Sequence, residues 1–220
     1  MLLLPSEYPE VVRWPSIREL LRIQVDMQFA DLRTLLCLPR PDEPGLGAGC
    51  NLTAATLAFN IIAGASVLFW ESSVEAIERR GDRGPRFRAL IEAKYPWSAH
   101  DVVDAEFGSE LMWDWARSPL TRTLGIGKSA HLFPGQPKAD RGVWFLKFER
   151  GLSGEGSAEL LSSYERPELL AATVAEEYGG YAIHVETLAW GVTRMLRDLF
   201  DEDVQASRAD DTARRLLQLH

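Results

Sequence analysis

Five side chains able to meet a phosphate fall within one short stretch, ELMWDWARSPLTRTLGIGKSAH (residues 110–131): Arg117, Ser118, Arg122, Lys128 and His131. Guanidiniums fork onto phosphate oxygens, a lysine adds point charge, and a serine ahead of a proline caps a helix whose first N–H groups also attract anions. Only histidine among these exchanges a proton near neutral pH, so any proton transfer in this stretch would fall to His131. Arg117, Ser118, Arg122 and Lys128 are the candidates for anion binding. The competing reading leaves both arginines on solvent or on backbone carbonyls, with no ligand at all.

The elements that must position these groups follow from periodicity. Leu111, Met112 and Trp115 recur at helical spacing, which predicts a helix over 101–116 that carries Arg117 to a break at Ser118-Pro119. Proline suits the first turn of the helix after the break, and Arg122 then stands one turn inside it. Upstream, residues 15–38 read as a long helix with Ile17, Leu20, Leu21, Leu32, Leu35 and Leu36 on one face, ended by Pro39, Pro41 and Pro44. No charged residue occurs between Pro44 and Trp70. Asn51, Thr53, Thr56, Asn60 and Ser66 interrupt that run, so the expectation is a central helix over 51–70, the most buried of the bundle, and not a membrane span. A shorter helix over 86–95 follows the Gly84-Pro85 break. Beyond the key stretch, 130–133 and the aromatic run 143–148 flank PGQPKADRG and predict a β-hairpin within 130–148. Residues 159–164 or 167–178 read as helical with glutamates facing solvent, 183–200 as a strongly amphipathic helix, and 208–219 as a short C-terminal one.

Composition sets the outer limits. A chain of 220 residues, 46% hydrophobic and 25% charged, is of a size for one helical domain spanning 1–220. Its formal charge of -8 excludes a broad, non-specific nucleic-acid surface and leaves room for a local basic pocket. Cys37 and Cys50 have no metal-ligand spacing and are too few for a secreted disulfide framework, which predicts a reducing, cytoplasmic setting. The start MLLLPSEYPE has no basic region ahead of its leucines and is not expected to be a signal peptide.

Other chemistries fare worse. Gly127-Lys128-Ser129 ends like a phosphate-binding loop, but the glycine required five residues earlier is Arg122, and a helix rather than a strand precedes it. No Gly-x-Ser-x-Gly elbow is present, and neither His184 nor His220 has an evident catalytic partner. His100 and Asp104, four apart, make two metal ligands without a third. No metal and no cofactor are expected.

Arg117-Ser118-Pro119-Leu120-Thr121-Arg122, followed by Leu124-Gly125, resembles the R-N-P-L-x-H-x-L-G segment of HEPN-like bacterial proteins, where Arg-x(4–6)-His lies at a helix junction. The apolar run 51–70 is similar to the helix before that motif, and Val185-Glu186-Thr187-Leu188-Ala189-Trp190-Gly191-Val192 resembles V-E-x-L-Y-W-G-V of an uncharacterised branch. Together these segments cover about a quarter of the chain. The resemblance implies a mainly α-helical bundle, here with a small β-hairpin insertion, that forms homodimers. In active members it implies metal-independent RNA cleavage, the arginine holding the phosphate and the histidine helping the 2′-hydroxyl attack. Here Arg117 matches, Ser118 stands for the usual polar residue, and Arg122 occupies the histidine position, so the motif is degenerate. The expectation is an anion- or RNA-binding or protein-association module, the alternative being an endoribonuclease that recruits His131.

Overall fold

A computed structural model of the chain describes residues 17–38, 50–69, 83–117, 145–149, 159, 161–170, 172–177 and 180–218. Among them the order is α1 (Ile17–Cys37), α2 (Asn51–Leu68), α3 (Arg83–Lys94), α4 (Ala105–Glu110), a π-helix (Leu111–Arg117), β1 (Phe145–Glu149), β2 (Val174–Glu177), β3 (Gly180–His184), α5 (Val185–Asp201) and α6 (Asp203–Gln218). The described protein is therefore mainly helical with a small sheet. One hydrophobic cluster runs through it, with Leu32 and Leu36 of α1, Phe59 and Ile62 of α2, Phe87 and Leu90 of α3, Leu111 and Met112 of the π-helix, and Leu188 and Met195 of α5.

The helix pattern predicted from apolar spacing holds for α1, α2 and α3, each within a few residues of its expected ends. Pro85 sits in the first turn of α3, where its missing N–H costs nothing, so Gly84-Pro85 begins the helix instead of breaking the chain before it. The most buried helix is α5, not α2. Thirteen of its 17 residues are buried, against nine of 18 in α2. Absence of charge in α2 did not mean enclosure: Leu52, Thr53, Asn60 and Gly64 face outward, and uncharged small and polar residues tolerate water. In α5 alternating apolar and polar residues are buried alike because α2, α6, α1 and β3 all pack on it.

Two other expectations are corrected. The helix expected over 167–178 is replaced at Val174–Glu177 by strand β2, and the first residues of the expected 183–200 helix belong to β3. β2 pairs antiparallel with β3, Val174 opposite Ile183, and the β-branched residues there fit a half-buried ladder better than a helix. The aromatic run does supply a strand, β1, but the ladder it forms is parallel to β3, with Phe145 opposite Gly180 and Glu149 opposite His184. Sheet order is β1-β3-β2. The remainder of the expected hairpin, residues 130–144, lies outside the described residues. Among the described residues of the expected 159–164 helix, Glu159, Leu161 and Ser162 are helical and Ser163 and Tyr164 are not, and the C-terminal helix starts earlier than expected, at Asp203.

The helix expected over 101–116 starts at Ala105, where Asp104 caps it by accepting from the Phe107 N–H at 2.7 Å. Asp101 turns inward instead. Its carboxylate is fully buried, accepts from the backbone N–H groups of Ser98 and Val174 at 2.9 Å each, and lies 3.8 Å from Arg166. Beside this knot Tyr95 places its hydroxyl 3.1 Å from Thr173 Oγ1 and 3.4 Å from the Thr187 carbonyl, against Gly191 of α5. These bonds tie the loop between α3 and α4 to the sheet and to α5, and so fix the direction in which the π-helix leaves.

Candidate functional site: an arginine-lined cleft

From Leu111 the chain winds as a π-helix, whose i→i+5 bonding widens the turn. The buried residues are Leu111, Met112 and Ala116, four to five apart, and Trp115, expected on the buried face, is only partly buried. The same widening sets Trp113 and Arg117 on one side. The Arg117 guanidinium lies over the Trp113 ring, 4.6 Å from its centroid, a favourable cation–π placement. Trp113 in turn packs against Phe87, ring centroids 5.1 Å apart, and reaches so close to Gly84 that an added Cβ would stand 2.7 Å from the indole Nε1. Glycine at 84 is thus what lets the π-helix lie against the first turn of α3. On the outer side Arg88 and Asp114 join the same two elements at 3.4 Å.

Where α2, α3 and the π-helix meet there is a cleft of about 230 Å³. Ala63, Ser66 and Val67 of α2 form one wall; Arg83 and Arg86 of α3, with Trp113 and Arg117, form the other. No carboxylate is among its described lining. Arg86 is only 4% exposed, and both Arg86 and Arg117 make further contacts within the chain. Arg83 is exposed and makes no hydrogen bond or ion pair among the described residues. Arg83 and Arg86 occupy the first turn of α3, which carries no acidic residue. Cations at a helix N-terminus oppose the helix dipole. An anion set between them and the N–H groups of that turn would offset both repulsions.

Two other cavities differ in kind. The groove between α1 and α5, about 280 Å³, mixes Arg22, Arg33 and Arg197 with Asp26 and Asp201, and Arg22 is already 3.8 Å from Asp201. The more open groove between α1 and α2, about 700 Å³, has Asp31 as its only charged lining residue. Of these three, the cleft at Arg117 has a described lining that is wholly cationic or neutral.

Of the residues singled out in the sequence, Arg117 is at this cleft; Ser118, Arg122, Lys128 and His131 lie outside the described residues. Arg83 and Arg86 were missed. Their signal was present, five arginines between Arg79 and Arg88 in a chain of net charge -8, but the stretch read as the exposed end of one helix and the start of another. Trp113 is half-buried by Phe87 and the rest of the core. His184 stands in the N-cap position of α5 with no side-chain capping bond, its N–H donating to the Thr173 carbonyl at 3.0 Å. His100 is exposed in a turn, Asp104 serves as a helix cap, and no group of three metal-ligating side chains occurs among the described residues. Compared with protein-family models, curated proteins and solved structures, the chain finds no match in any of the three.

Proposed function

We propose that this chain is a HEPN-like helical module that binds a phosphate-bearing ligand, RNA included, in the cleft formed by Arg83, Arg86 and Arg117. One observation carries the reading: three guanidiniums from two elements line a single cleft that has no carboxylate among its described lining. Each charge-assisted bond to an anion contributes about 1.5–3 kcal/mol where water is excluded. The cleft is more fully cationic than the Arg117–Arg122 pair expected at the outset, because α3 supplies two of its arginines. Isothermal titration with inorganic phosphate at low salt tests it. Binding should weaken about tenfold in Arg117→Ala and several-fold in Arg83→Gln, and should fade as salt is raised. Unchanged affinity in both variants would refute the site.

The described lining holds no group that exchanges a proton near pH 7, since arginine keeps its charge and serine and tryptophan do not titrate there. The proposal is accordingly a binding module rather than a nuclease. Chelator-resistant RNA cleavage abolished by Arg117→Ala or His131→Ala would reverse that choice. The same proposal places the protein in the cytoplasm. α2 is long and apolar enough to cross a membrane, but half of that helix is buried, packed by α1, α3, α5 and α6, which supports a water-exposed bundle. It also includes a homodimer, supported by Met27 and Leu52, 58% and 47% exposed on neighbouring helices.

A further inference from the structure

We infer that the groove between α1 and α5 is a second binding site, for a small aliphatic monocarboxylate, and this inference is independent of the anion cleft above. α1 lines the groove from Arg22 to Arg33, inside the helix Ile17–Cys37, and α5 lines it from Thr193 to Asp201, inside the described run 180–218. Leu161, buried in the core, completes the described lining. The floor is apolar, with Val25 and Phe29 of α1 facing Leu196 and Phe200 of α5. A volume of about 280 Å³ is just under the roughly 300 Å³ at which pockets for drug-sized ligands begin, which suits a short alkyl tail with one head group.

Charge selects the head group. Three guanidiniums, Arg22, Arg33 and Arg197, stand against two carboxylates, Asp26 and Asp201, which leaves one positive charge in excess. Arg22 is engaged twice, donating to the Phe200 carbonyl at 3.4 Å and lying 3.8 Å from Asp201. Arg197 donates to the Ser162 carbonyl at 2.9 Å. Arg33 is half-buried and has no hydrogen bond or ion pair among the described residues. Its forked N–H groups match the two oxygens of a carboxylate. Asp26, exposed and likewise without a partner among the described residues, lines the same wall two turns earlier, about 10 Å along α1. The two are too far apart to pair with each other. Asp26 instead repels a second anionic group at the far end of the ligand, and so rejects a dianion that Arg33 alone would accept. An inorganic anion gains nothing from the apolar floor, so sulfate is a poor ligand here.

The full chain should be titrated calorimetrically with octanoate, octanol and octanedioate at one pH and one salt concentration. Octanoate should bind about tenfold more tightly than either of the others. Arg33→Gln should bring octanoate down to the level of octanol, whereas Arg83→Gln, in the other cleft, should leave its binding unchanged. Asp26→Asn, a substitution at an exposed position, should raise the affinity for octanedioate towards that for octanoate, a gain that a misfolded variant cannot show. Equal binding of octanoate and octanol, or octanoate binding untouched by Arg33→Gln, would overturn the site. No binding of octanoate at millimolar concentration would overturn it as well. Octanoate binding lost in Arg83→Gln and kept in Arg33→Gln would move the carboxylate to the other cleft and end the claim for this groove.

Discussion

Arg117 stood out in the sequence as a candidate anion ligand because an arginine beside a Ser-Pro helix junction has few structural duties to explain it. Its partners Arg83 and Arg86 did not, since no local pattern reports that α3 and the π-helix meet at Gly84. At the same scale, Tyr95 gives a prediction independent of any ligand. Its hydroxyl is enclosed with Thr173 and the Thr187 carbonyl, and burial pushes its pKa upward from the ordinary value near 10, with Asp101 adding to the rise. The folded state then keeps a proton that the unfolded chain has lost above pH 10, so stability is intact below that pH and declines as pH rises beyond it. Tyr95→Phe should cost about 1 kcal/mol at pH 7 and flatten the decline above pH 10. Thermal melts of both proteins from pH 8 to 11.5 check this; parallel curves would show that Tyr95 is not held neutral by the fold.

Elements were read with uneven success for a physical reason. Long amphipathic helices announce themselves through a repeat of three to four, and α1 did so. The wider turn of the π-helix moves the buried position from Trp115, where the sequence pointed, to Ala116. β2 and the start of α5 were misassigned because four- and five-residue strands give too few repeats to register, and their pairing with β3 decides the outcome. Contact between elements yields the next prediction. Gly191 of α5 faces the buried Tyr95 ring so closely that a Cβ there would overlap the phenol. Alanine would add about 1 kcal/mol of helix propensity, yet the overlap costs on the order of 1–3 kcal/mol or more because Tyr95 is pinned from two sides. Gly191→Ala should therefore lower stability in urea. A rise in the midpoint would mean that the loop after α3 yields easily and does not brace the π-helix.

At the scale of the whole molecule, an acidic chain with a local cationic cleft among its described residues should bind small anions without binding nucleic acid at large. Affinity for a long duplex should consequently be no higher than for a short phosphorylated fragment, which competition titrations at fixed salt can check. Assembly is a separate expectation. Light scattering should give a mass near twice 24.7 kDa, reduced towards the monomer by Met27→Glu together with Leu52→Glu on the exposed α1–α2 face. A single species at 24.7 kDa across a wide concentration range would contradict the dimer. The central claim, that Arg83, Arg86 and Arg117 converge on an anion, is tested most directly by following arginine side-chain Nε signals by NMR during a sulfate titration at low salt. The account predicts saturable shifts of those three resonances together, with Arg22, Arg33 and Arg197 of the α1–α5 groove unmoved. Shifts confined to other arginines, or none that saturate, would contradict it.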